Sequence, residues 1–165
     1  MKKEGVIKVL LVDDEETLVE YLAKRLRKEG FMVTAVLSGE KAVEEAQQAH
    51  FDVAVIDLKM PGMDGVETQK RLKEIQSTLQ SIVLTGHGSI ESALESGHQD
   101  AFQYLLKPAE FEDLVKVIRE AYRRKIEVQE TIFRERVNEL YRSGLGAKGL
   151  KKAMDDLRKA YGIED

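Results

Sequence analysis

The chain has 165 residues, 42% of them apolar and 34% charged, with a net charge of −4, a globular rather than disordered mix whose length suits one domain plus an extension. It contains no cysteine, which excludes disulfides, thiolate catalysis and cysteine-held zinc. The segment from Met1 to Val12 does not read as a signal peptide, and no apolar run approaches the ~20 residues that cross a bilayer, so a cytoplasmic protein with no membrane partner is expected.

Lys8–Val12 (KVLLV) is a compact Val- and Leu-rich run and reads as a buried strand. Asp13 and Asp14 follow it directly. In Glu16–Arg27, Leu18, Val19, Leu22 and Leu26 fall on one helical face, and Gly30 is the stop signal. Met32–Val36 is the second strand. Ser38 is an N-cap candidate for a helix over Gly39–Ala49, with Ala42, Val43, Ala46 and Ala49 on one face. Val53–Ile56 is the third strand, and Asp57 follows it. A helix over Val66–Ile75 leads to a fourth strand, Ser81–Leu84, which Thr85 follows. A short helix over Ile90–Leu94 leads to a fifth, Ala101–Leu105, after which come Lys107 and Pro108. The last helix of the series covers Leu114–Tyr122.

Five β-α units of this kind predict an α/β fold: a doubly wound five-stranded parallel sheet in order 2-1-3-4-5, with helices on both faces. The organisation predicted is a domain over residues 1–124 and a helical extension over 125–165. No glycine or proline interrupts Phe111–Arg142, so the fifth helix is expected to run on past the domain. Ser143–Gly149 (SGLGAKG) reads as a hinge, and Leu150–Tyr161 as a short terminal helix.

Ligands of such sheets bind beyond the carboxyl ends of the strands. Asp13, Asp14 and Asp57 meet there, on strands expected to be neighbours. Packed carboxylates repel, and the remedy is a hard divalent cation with oxygen ligands, Mg²⁺ or Mn²⁺. Thr85 and Lys107 bring a hydroxyl and an ammonium to the same edge, both suited to holding phosphoryl oxygens. Asp57 is then the nucleophile of an aspartyl-phosphate chemistry.

Leu10–Asp14 (LLVDD), Asp57–Gly65 (DLKMPGMDG), Leu84–Gly88 (LTGHG) and Tyr104–Pro108 (YLLKP) resemble the response-regulator receiver domains of two-component signalling. The resemblance covers about Ile7 to Tyr122. It implies a flavodoxin-like fold, phosphorylation by a histidine kinase or phosphotransfer protein, and Mg²⁺ dependence. It also implies that Asp14, Asp57 and the backbone carbonyl of Lys59 bind the metal, Asp13 partly through water. Thr85 and Tyr104 would be the switch pair, Lys107 would contact the phosphoryl group, and the Lys107–Pro108 bond would be cis. Lys59 and His87 would border the route of the water that removes the phosphoryl group. The LTGHGS stretch resembles receivers attached to enhancer-binding transcription activators. Asp100 departs from the glycine usual there, with Gly97 three residues earlier, which predicts an early end to the fourth helix or a left-handed Asp100.

His50, His87 and His98 lack metal-ligand spacing, and His50 and His98 read as surface residues. Gly86–Gly88 lacks a P-loop's GK[ST]. Lys148, Lys151, Lys152, Arg158 and Lys159 are interleaved with Asp155 and Asp156 and read as a solvated face rather than a nucleic-acid surface. An aspartyl phosphohydrolase would carry a second Asp two residues after the nucleophile, where Lys59 stands. The expected output is a downstream protein target. A receiver fragment of a larger transcriptional regulator and a structural dimerisation module are the alternatives. Ile126, Phe133, Val137 and Leu140 form an apolar stripe past the domain that needs a cover. A homodimer through this helix is the favoured cover, and fold-back of Leu150–Tyr161 is the other.

Overall fold

The computed structural model describes residues 5–95 and 101–163. The expectations about Gly97, His98 and Asp100 fall outside these residues, as does any statement on the side chain of His87. Five parallel strands form one sheet in the order β2-β1-β3-β4-β5. They are β1 (Lys8–Val12), β2 (Met32–Val36), β3 (Val53–Ile56), β4 (Gln80–Thr85) and β5 (Gln103–Leu106). The helices are α1 (Glu16–Lys28), α2 (Gly39–Gln48), α3 (Gly65–Ile75), α4 (His87–Glu95), α5 (Phe111–Arg142) and α6 (Ala147–Ala160). The predicted sheet order holds and each predicted helix is present, but α4 begins at His87 rather than Ile90 and α6 at Ala147 rather than Leu150, so the last three residues of the expected Ser143–Gly149 hinge are helical.

β3 and β4 are buried along their whole length, whereas β5 at the edge is half-buried. That matches a central strand covered on both faces. On one face Val9, Leu11, Val55 and Ile82 pack against Val19, Leu22 and Leu26 of α1 and Leu114, Ile118 and Ala121 of α5. On the other, Leu10, Val12 and Ile56 pack with Ala42 and Ala46 of α2 and Leu72 of α3. The alternation of side chains along each strand divides these residues between the two layers.

Local signals act as expected in two places. Ser38 caps α2 by accepting the Lys41 N–H at 3.2 Å, and Gly30 takes φ +97° after α1, where an L-residue would be strained. The fifth strand is corrected: it runs Gln103–Leu106 rather than Ala101–Leu105, because pairing with β4 begins at Ile82 with Gln103. Thr85 is the last residue of β4 rather than the residue after it. On α5 the buried face is Phe111, Leu114, Val117, Ile118, Ala121 and Lys125, and half-buried Val115 and Tyr122 pack against the same cluster.

Contacts divide the chain into two compact units, Met1–Lys125 and Ile126–Asp165. The second unit holds the remainder of α5 and α6. Within it, Phe133 meets Tyr161 edge to face, ring centroids 5.8 Å apart at 67°. Among its described residues none is buried.

Candidate functional site: an acidic pocket at the strand ends

Register fixes the site. Val12 lies opposite Ile56, and Ile56 opposite Val83. Asp13 and Asp57 therefore leave adjacent strands at the same level, about 4.8 Å apart in the pairing direction. The Asp57 N–H donates to Val12 O at 3.0 Å, carrying the ladder up to Asp57 itself. Thr85 pairs with Leu106, and the Lys107 N–H donates to Thr85 O at 2.9 Å. All four side chains thus stand on regular strand ends rather than on free loops.

Asp13, Asp57 and Thr85 are buried, whereas Asp14 is exposed. Thr85 Oγ1 donates to Asp57 Oδ1 at 2.6 Å. Lys107 Nζ donates to Asp13 Oδ2 at 2.6 Å and lies 3.5 Å from Asp57 Oδ2. Asp13 Oδ1 accepts the Glu15 N–H at 3.0 Å, and the Glu15 carboxylate lies 3.5 Å from Lys107. Burial pushes the Asp13 carboxyl above its ordinary value; the Lys107 hydrogen bond, the Glu15 N–H and the Lys107 charge pull it back only in part. Burial alone would lower Lys107, but the Asp13 hydrogen bond and the charges of Asp13, Asp57 and Glu15 outweigh it and raise Lys107. The ammonium stays charged, while the carboxylate is incompletely compensated.

Carboxylate oxygens of Asp13, Asp14 and Asp57 lie within 4.8 Å of one another. An all-oxygen set of this kind fits Mg²⁺ or Mn²⁺, which bind through a few carboxylates and retain water. The burden on Asp13 is what such a cation would relieve.

Other residues shape the loop that follows Asp57. The Gly65 N–H donates to Leu58 O at 2.8 Å. A Cβ on Gly65 would stand 2.2 Å from Asp57 O and 2.6 Å from Leu58 Cα. Asp64 caps α3 by accepting the Glu67 N–H at 2.9 Å. Sequence reasoning did not single out Gly65 or Glu15; the Asp-Gly pair opening a helix was the available signal for the first. Lys59 is exposed two residues past Asp57. Tyr104 is half-buried and packs against the cluster of Leu58 and Val83, as do Val66 and Ala101. The Lys107–Pro108 bond is cis. A cleft of about 480 Å³ opens beside Lys107, lined in part by Glu15, Leu18, Tyr21, Pro108 and Phe111.

The model of the response regulator receiver domain matches residues 9–119. The chain belongs to that family. It is 32% identical over 115 residues to the transcriptional regulatory protein ZraR of Escherichia coli (strain K12), covering 70% of this chain and 26% of ZraR. To the two-component response regulator PhoP of Pseudomonas aeruginosa it is 35% identical over 108 residues, covering 66% of this chain and 48% of PhoP. The chain thus spans less than half the length of either relative. Among solved structures, the response regulator TrrA of Thermotoga maritima in complex with Mg²⁺-BeF superposes with a TM-score of 0.63 at 27% identity, covering 70% of this chain and 99% of that one. This protein therefore carries a receiver domain of the two-component response regulators, with the flavodoxin-like fold and a helical C-terminal extension. Among the described residues, no helix is long and apolar enough to cross a membrane.

Proposed function

We propose that this receiver accepts a phosphoryl group on Asp57 from a histidine kinase or phosphotransfer protein, and that the acyl phosphate switches protein–protein contacts in the cytoplasm. The observation that carries the reading is the surrounding of Asp57: a buried carboxylate with a hydroxyl on one oxygen at 2.6 Å and an ammonium 3.5 Å from the other. The Mg²⁺-BeF complex of the Thermotoga relative supports it.

In the transfer, an Asp57 carboxylate oxygen forms the new O–P bond while the P–N bond of a phosphohistidine breaks. The donor imidazole leaves with the bonding pair. The residues that would hold Mg²⁺ are Asp13, Asp14 and Asp57 with the carbonyl of Lys59; when bound, the cation neutralises the carboxylates and the arriving phosphoryl oxygens. Lys107 needs only a small displacement from Asp13 to reach a phosphoryl oxygen. Thr85 has its hydroxyl in place to exchange the Asp57 oxygen for a phosphoryl oxygen. Positioning and charge neutralisation are the main contributions a protein makes to this reaction. The only reaction assigned to this chain is on itself, namely its own phosphorylation and dephosphorylation.

The movement of Thr85 gives the switch. A covalent group biases a two-state equilibrium only through differential contacts. Thr85 drawn toward the phosphoryl group vacates volume beside β5, which Tyr104 can enter from its packing against Val83. The cleft beside Lys107 is positioned to receive the donor. The experiment that tests the reading is incubation with a small phosphodonor and Mg²⁺, read by intact mass on the wild type and on Asp57→Asn. A second reading, of this chain as one part of a longer transcriptional regulator, is favoured by the share of ZraR that it spans.

A further inference from the structure

Lys125 is 2% exposed, and lysine is almost never fully buried unless paired. Its ammonium contacts Asp52 Oδ1 and lies 3.0 Å from His50 Nε2. An ammonium has three protons to donate and no lone pair. Nε2 is therefore the acceptor, the ring proton sits on Nδ1, and the imidazole in this arrangement is neutral.

The wall that holds these two partners is fixed. Asp52 Oδ2 accepts the Lys8 N–H at 2.8 Å, and the Asp52 N–H donates to Lys8 O at 2.9 Å. On the other side, Gln76 grips the backbone around His50. Its Oε1 accepts the Phe51 N–H at 2.9 Å, and its Nε2 donates to Ala49 O at 2.7 Å and to Ala46 O at 2.9 Å. The backbone that carries His50 is thus held in place, and a change at its ring falls on the contact with Lys125.

The charged groups facing His50 are Lys125 on α5, Asp52 before β3 and Lys8 on β1. His50 is exposed at the surface, as expected from the sequence, yet partial desolvation, followed by the Lys125 charge, holds the imidazole below its ordinary value, and Asp52 only partly offsets them. Protonation would replace the acceptor lone pair by an N–H aimed at an ammonium, and two cations would then compete for one carboxylate. A depressed histidine contributes stability that is present above about pH 6.5 and lost as pH falls toward its folded value.

We infer that Lys125, Asp52 and His50 form a pH-sensitive latch, closed while His50 is neutral, that docks the Lys125 turn of α5 on the strand-entry end of the sheet and releases it when His50 takes a proton. The latch lies at the opposite end of β3 from Asp57, with Asp52 immediately before the strand and Asp57 immediately after it. Its action is therefore separate from the phosphoryl chemistry.

The test uses the full chain. Hydrogen exchange of the Ala121–Lys125 amides is compared at about pH 8 and about pH 5, corrected for the intrinsic rate. Wild type is expected to lose roughly tenfold in protection at the lower pH. His50→Gln, whose amide oxygen accepts from Lys125 at every pH, is expected to change by less than about twofold. Ring-proton titration of His50 provides a second reading, expected to move toward the ordinary histidine value in Lys125→Met. Unchanged protection in wild type, equal loss in His50→Gln, or a His50 titration unmoved by Lys125→Met would each overturn the latch.

Discussion

The Thr85 hydroxyl donates to Oδ1 of Asp57 at 2.6 Å, with both side chains buried. The residue proposed as the switch is thus bonded to the proposed acceptor before any phosphoryl group arrives. On the proposed function, moving that one bond from carboxylate to phosphoryl oxygen would displace the end of β4.

Thr85→Ala is therefore expected to accept a phosphoryl group but to change its partner affinity little on doing so. Thr85→Ser, which keeps the hydroxyl, is expected to retain most of the response. Titration of a cognate partner against phosphorylated and unphosphorylated forms checks this. An undiminished response in Thr85→Ala would place the coupling elsewhere.

Asp13 supplies a stability prediction. Its folded value lies above the ordinary 3.8, chiefly through burial. Such a carboxyl contributes most below that ordinary value, and the contribution is lost as pH rises through the folded value. Without Mg²⁺, Asp13→Asn is expected to melt at or above the wild type at neutral pH, with the gap narrowing toward about pH 4. Added Mg²⁺ is expected to raise the wild-type Tm more than that of Asp13→Asn, because binding to the folded state alone stabilises it. A variant that is clearly less stable without metal and gains equally from it would contradict this account of the pocket.

Much of the pocket was legible because a parallel sheet aligns its strand ends. Once Lys8–Val12 and Val53–Ile56 read as neighbours, Asp13 and Asp57 had to meet. Edges were less legible. Ala101 and Phe102 extend the apolar run before β5, so composition alone placed that strand two residues early. On α5, the helix predicted over Leu114–Tyr122 began too late and ended too early to include Phe111 and Lys125, both on its buried face. Lys125 was invisible, because a hydrophobic pattern scores lysine as solvent-facing and only tertiary structure brings Asp52 and His50 into contact with it. Gly65 was passed over because its constraint, the approach to Asp57 O, is non-local.

Gly65→Ala tests that constraint. A methyl group 2.2 Å from Asp57 O must displace backbone, and overpacking of this kind costs about 1–3 kcal/mol. Urea denaturation is expected to show that loss, with slower labelling of Asp57. Wild-type stability and labelling would show that the loop yields freely.

The unit Ile126–Asp165 gives a prediction on assembly. Phe133 and Tyr161 cover each other, yet none of its described residues is buried, and exposed apolar helices are marginal in water. A second copy that adds two more helices would complete the cover. The full chain is expected to sediment as a dimer, and Phe133→Glu and a chain ending at Arg124 as monomers that still label on Asp57. A full chain that is monomeric at tens of micromolar would make the hairpin sufficient by itself.

The acceptor assignment is tested most directly by intact mass after treatment with a small phosphodonor and Mg²⁺. Wild type is expected to gain one phosphoryl mass, and Asp57→Asn none. Stoichiometric labelling of Asp57→Asn, or no labelling of a folded wild type in Mg²⁺, would contradict the account.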